Sequence, residues 1–251
     1  MQQVGYTIIE IALVLIVISL LLAGVLKGQQ LIYSSQLRNL IEQSSAVHQA
    51  YYEFIDRFQS IPGDMSCTDA VTNIGSIISA DNCATNIIGG DANGHIDNLA
   101  EASAVWAHLS AAQFIDGSYS GNASTVATYR AGVSSGDVAG NTFQGPLLIG
   151  QMFNYIEGDS TSDTKRLAYS FGGKVPVTLL RDLDRKLDDG VAGTGILRSA
   201  STNSEASVTM FEAIVEYTMT PDTKDCLNPA NPNTWQVDSD NQSCNAILFI
   251  D

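Results

Sequence analysis

Residues 5–30 read GYTIIEIALVLIVISLLLAGVLKGQQ, an apolar run with one carboxylate, Glu10, near its front. From Tyr6 to Leu26 it has the length a helix needs to cross a bilayer core. A cleaved secretory signal would need a basic start, a shorter apolar stretch and a small-residue cleavage site. MQQVG carries no Lys or Arg, and LLLAGVLKG is a poor cleavage site. A plain membrane anchor accounts for the length but leaves Glu10 unexplained. A carboxylate inside such a helix is costly and calls for a named partner.

The helical pattern continues past the apolar run. Tyr33, Leu37, Leu40, Val47, Tyr51, Phe54 and Phe58 recur at steps of three and four, with Ser44 filling the gap and Ile41 and Ile55 alongside. Gln36, Arg38, Glu42 and Gln43 lie off this stripe. Pro62-Gly63-Asp64 should end the helix, giving an element over 6–60 that is roughly 80 Å long. The stripe reads as a core face against a globular domain, with a coiled-coil seam as the alternative. Gly24 and Gly28 each weaken the helix by about 1 kcal/mol relative to Ala.

Composition fits a folded chain of 251 residues, 45% hydrophobic and 16% charged, with a formal net charge of −15. That sign disfavours nucleic-acid partners, and the 12 Lys and Arg form no run. Four cysteines stand as two local pairs, Cys67 with Cys83 and Cys226 with Cys244, with no CxxC and no zinc-type spacing. Behind a membrane-targeting segment they read as two disulfides, against the alternative of four buried thiols.

The front of the chain resembles the class III signal of type IV pilins and type II secretion pseudopilins. That signal is a short leader ending in Gly, then an aromatic residue, Thr, apolar residues and Glu at the fifth mature position. Gly5, Tyr6, Thr7, Ile8, Ile9 and Glu10 match it in order. Tyr6 replaces the commoner Phe, and the leader lacks the usual basic residue. The resemblance implies that a prepilin peptidase cuts after Gly5 and methylates Tyr6. It also implies that Glu10 pairs with the amino terminus of a neighbouring copy's Tyr6. Residues 1–5 would be the leader, 6–60 a long helix whose front half (about 6–27) spans the membrane and then forms a filament core, and 61–251 a globular head.

The fold so implied is α+β and pilin-like: a long helix packed on a head with an antiparallel sheet and extra helices. The implied function is that of a structural subunit of a type IV pilus or pilus-like filament. A type II secretion pseudopilin and a minor or tip pilin with an adhesive role are the alternatives. The implied partners are copies of the chain, a prepilin peptidase, the membrane and inner-membrane assembly machinery. Location would be the bacterial inner membrane, then a periplasmic or extracellular filament. A C-terminal disulfide loop would form an exposed face, with Trp235 either a local core or an adhesion point. Further patches, among them YEFIDRFQSIPGD and AVWAHLSAAQFI, resemble segments of large bacterial prepilin-like proteins.

Within the head, Asn98–Ile115 reads as a helix, with Asn98 and Glu101 at capping-box spacing and Leu99, Ala102, Val105, Trp106 and Leu109 inside. Pro176–Asp189 reads as a second, closed by Gly190. The run 207–219 reads as one strand and Asn245–Ile250 as another. Residues 116–145, rich in Gly, Ser, Thr and Asn, read as loops or short exposed strands.

Residues 89–101, GGDANGHIDNLAE, offer Asp91, Asn93, Asp97 and Glu101 as oxygen ligands and resemble the start of an EF-hand-type calcium loop. The alternative is a polar turn capping the next helix. Asp238, Asp240 and Asn241 form a second acidic loop, at a position where some pseudopilins bind calcium. No cofactor is required on this reading, and calcium is the candidate ligand. Catalysis is not expected: His48, His95 and His108 have no nucleophile motif beside them. Asp182, Asp184, Asp188 and Asp189, interleaved with Arg181, Arg185 and Lys186, read as a solvated helix face.

Overall fold

A computed structural model describes residues 7–75, 88–200, 207–210, 216–218, 226–238 and 244–250. The architecture is α+β: a long N-terminal apolar helix, and a head with an antiparallel sheet and further helices, as the sequence led us to expect. The chain divides into two units, Met1–Asn39 and Leu40–Asp251.

Helix α1 runs unbroken over Ile8–Phe58, through Gly24 and Gly28. Over residues 8–32 its Ile, Leu and Val side chains are exposed, and Leu37 is buried. In the second unit, Leu40, Ser44, Val47, Tyr51 and Phe54 are buried at the expected spacing, together with Ala50. Ser44 is tolerated there because its hydroxyl donates back to Ile41 O at 2.9 Å. Phe54 stacks on His108 and meets Phe114 edge-on, so the stripe is a core face.

After α1 the Pro62-Gly63-Asp64 turn is buried, and α2 (Cys67–Asn73) follows under a Ser66 cap. Gly63 is required here: its φ is +90°, and an added Cβ would lie 2.5 Å from the Glu101 carbonyl. Helix α3 (Leu99–Ala111) is buried almost all round, the five expected inner residues included, and packs on the sheet. It ends four residues earlier than expected, Gln113 taking a positive φ of 64°.

Residues 116–145 are not all loop. Helix α4 (Val126–Ser135) lies within them, started by a reciprocal Thr125–Thr128 capping box and stopped by left-handed Gly136. Its Tyr129 is fully buried, accepting from Trp106 Nε1–H at 3.2 Å and donating to Leu147 O at 2.8 Å. Those two bonds satisfy the one hydroxyl that this helix sends into the core.

Strands β1 (Leu148–Phe153), β4 (Arg166–Ser170), β5 (Leu197–Ser199), β6 (Ser207–Met210), β7 (Glu216–Thr218) and β10 (Ala246–Phe249) form one sheet in the order β5-β10-β4-β1-β6-β7. All its pairings are antiparallel. Leu197, Leu248, Tyr169 and Ile149 lie in one row across four strands. The run 207–219 is two strands rather than one, since Val208 pairs with Tyr217. It holds no Gly or Pro to mark a reversal, so composition could not separate one long strand from a hairpin.

Two small pairs, β2 (Tyr155–Glu157) with β3 (Ser160–Ser162) and β8 (Leu227–Asn228) with β9 (Asn231–Trp235), complete the strands described. Helix α5 spans Val177–Leu187 with Pro176 at its N-cap. The Cys226–Cys244 disulfide is formed. Cys67 is also disulfide-bonded, and its expected partner Cys83 lies outside the described residues.

Candidate functional site

The first region is the front of α1. Ile8 is 92% exposed and Leu20 69%, and the apolar side chains between them are exposed as well. An 18-residue window of this helix has a mean hydropathy of 2.9 with none of it buried, and by length and composition it can cross a membrane. Glu10 sits in the first turn, where the exposed N–H groups of a helix favour a carboxylate. Its backbone bonds Thr7 O, and among the described residues no side chain bonds its carboxylate. Gly5 and Tyr6, the predicted processing pair, lie outside the described residues.

The second region is the loop before α3. Asp64, which the sequence reading treated only as part of a breaker, organises it. One carboxylate oxygen of Asp64 accepts Asn93 N–H at 3.1 Å and the other Gly94 N–H at 2.8 Å. Asp91 Oδ1 also accepts Asn93 N–H, and Asn93 Oδ1 accepts His95 N–H at 2.8 Å. Asn93 Nδ2 donates to Asp97 Oδ2 at 3.1 Å. The Asn98 side chain caps α3 on Glu101 N–H, while Glu101 Oε2 accepts Asp97 N–H at 2.8 Å, one residue before the box position expected. The polar-turn reading of this stretch therefore describes its hydrogen bonds.

Of the four ligands predicted, Asp91 and Glu101 converge, and Asp64 joins them with carboxylate oxygens within 4.8 Å of one another. Asn93 and Asp97 bond each other instead. Three carboxylates around one point suit a hard cation, although a full calcium shell takes six to eight oxygens. Glu101 is 2% exposed, and burial pushes its pKa up to about 7, with the Asp97 and Asp91 carboxylates adding to the rise. In the second acidic loop Asp240 and Asn241 lie outside the described residues.

His108, on α3 beside this loop's base, is fully buried and accepts Gly63 N–H on Nδ1 at 3.0 Å. The ring proton is thereby assigned to Nε2, which has no partner among the described residues. Burial lowers its pKa to about 4.

The third region is the disulfide loop, where Trp235 is a local core: it is 6% exposed and donates from Nε1 to Asp184 Oδ2 at 2.7 Å. This corrects the solvated-face reading of α5 at Asp184, while Arg185, Lys186 and Asp189 are exposed. Asp184 is fully buried, also accepts Gly190 N–H at 3.2 Å, and has its pKa raised to about 6 by burial. Asp188 accepts the N–H groups of Ile196 and Leu197, and Asp182 pairs with Arg181 next to it. Asp184 and Asp188 thus tie α5 to the segments that follow it.

No family model, no curated protein and no solved structure matches the chain.

Proposed function

We propose that the chain is a structural subunit of a type IV pilus or pilus-like filament, polymerising through α1 after a prepilin peptidase removes residues 1–5. One observation carries this reading: an exposed helix of membrane-spanning length holds Glu10 in its first turn with no side-chain partner among the described residues. A carboxylate in an apolar medium is tolerated when another charge meets it. The amine left on Tyr6 of a neighbouring copy supplies that charge, and helix-on-helix packing buries the exposed Ile, Leu and Val. The subunit would enter the inner membrane and leave it for a periplasmic or extracellular filament. A type II secretion pseudopilin would use the same assembly chemistry. A tip adhesin acting through Trp235 loses its main support, because that ring is buried.

Calcium belongs to the same reading, held by the carboxylates that converge before α3. It would neutralise Glu101 and its neighbours and fix the 89–97 loop.

The test is assembly in cells that supply a prepilin peptidase and a pilus machine, with polymer recovered by shearing and sedimentation. Loss of polymer in Glu10→Ala, with membrane insertion unchanged, supports the proposal. Polymer yield unaffected by Glu10→Ala, or no polymer from the wild type, returns the chain to a plain membrane-anchored domain.

A further inference from the structure

Asn93-Gly94 is the one Asn-Gly pair in the sequence. The Gly94 N–H and the Asn93 side-chain carbonyl and amide each have a hydrogen-bond partner. We propose that it is a self-modifying site, in which the Gly94 nitrogen closes on the Asn93 side-chain amide carbon and forms a succinimide. Three contacts bear on that step, and each meets a different requirement.

The attacking nitrogen must lose its proton as the bond forms. Gly94 N–H already donates to Asp64 Oδ2 at 2.8 Å, and Asp64 is 3% exposed and fixed from its other oxygen by Asn93 N–H. The carbonyl oxygen of the Asn93 side chain must take up negative charge. It accepts His95 N–H at 2.8 Å, a backbone donor aimed at the developing oxyanion. The leaving group is the side-chain amine, and it is held by Asp97 Oδ2 at 3.1 Å. Gly94 adds access: with φ at +91° and nothing within 4 Å of where a Cβ would stand, no side chain blocks ring closure. The folded structure holds Asp64, from the turn after α1, against the loop that carries the other groups, which lowers the entropy cost of bringing them together.

The step balances without any added reagent except water. The Gly94 N–Asn93 Cγ bond forms, the nitrogen's proton passes to the Asp64 carboxylate, and the Cγ–Nδ2 bond breaks. The departing amine takes back that proton equivalent and leaves as ammonia. Water then adds across one of the two imide C–N bonds. One opening restores the Gly94 peptide and leaves an aspartate side chain at position 93. The other places the backbone through the side-chain carboxyl, as isoaspartate. Either product puts a further negative charge beside Asp64, Asp91, Asp97 and Glu101. The isoaspartate also lengthens the main chain where Gly94 bonds Asp64, so it loosens the turn that follows α1.

The experiment follows Asn93 by peptide mass spectrometry in the full-length chain, held in detergent with a chelator at one fixed pH near neutral in ¹⁸O-labelled water. The same chain unfolded in denaturant is the reference. The proposal expects ¹⁸O-labelled aspartate and isoaspartate to accumulate faster in the folded chain than in the unfolded one. Asp64→Asn, if natively folded by circular dichroism, should slow the folded rate by roughly a hundredfold, as loss of a positioned base does. A folded chain that reacts no faster than the unfolded chain overturns the proposal whatever the variant does. So does an Asp64→Asn protein that folds and reacts at the wild-type rate.

Discussion

Trp235 Nε1–H donates to Asp184 Oδ2 at 2.7 Å, joining the disulfide loop to helix α5 across 51 residues of sequence. Both groups are buried, and Asp184 also holds Gly190 N–H. Removing the carboxylate leaves two donors short of an acceptor. Asp184→Ala is expected to cost about 2 kcal/mol in a denaturant titration and to shift the Trp235 indole N–H resonance. Asp184→Asn, which keeps an acceptor, should cost less.

Acidity acts on the head in two opposed ways. Glu101 has its pKa raised from 4.5 to about 7, so the folded state holds a proton the unfolded chain has lost between those values. Its contribution is fully present below about pH 4.5 and is lost as pH rises through about 7. Glu101→Gln, studied with a chelator present, is therefore expected to raise the melting temperature above pH 7 and to do little at pH 4. His108 runs the other way. Its pKa falls from 6.5 to about 4, so its contribution is present above pH 6.5 and is lost as pH falls through about 4. An imidazole NMR titration should find His108 neutral at pH 5.

Calcium should raise the melting temperature of the full chain, and magnesium should not, because the smaller ion demands a stricter octahedral shell. Asp91→Asn is the variant of choice, since Asp91 is exposed and its loss leaves Asp64 in place to hold the turn. Differential scanning calorimetry with and without calcium checks it. An equal response in wild type and variant would assign the loop a capping role alone.

Gly24 and Gly28 meet nothing within 4 Å at their Cβ positions, so the isolated chain gives no packing reason for them. Gly24→Ala with Gly28→Ala should stiffen α1, by about 1 kcal/mol for each position, and leave the head's melting temperature unchanged. If these positions extend when subunits leave the bilayer, the double variant should yield less polymer at equal membrane insertion. Equal yield would assign them no part in assembly.

How much of this was legible from sequence depends on the kind of signal involved. The span and core face of α1 were legible, because apolar residues at steps of three and four continue from Tyr33 to Phe58 until a Pro-Gly pair. Helix α3 was legible from its Asn98 cap. Helix α4 was not, since Gly132, the Ser and Thr residues and one buried Tyr129 give almost no apolar periodicity. Thr125, Thr128 and Gly136 were the signals that could have found it. Asp64 was missed as the organiser of the 89–97 loop because its partners lie 29 and 30 residues away. Charge alternation on α5 suggested solvent, but spacing cannot reveal that Trp235 returns from the disulfide loop to bury Asp184.

The most direct measurement is the mass of the amino-terminal peptide from protein expressed with a prepilin peptidase, wild type beside Gly5→Ala. Wild-type protein is expected to begin at Tyr6 carrying a methyl group, and Gly5→Ala to keep Met1. An amino terminus at Met1 in both proteins would contradict this.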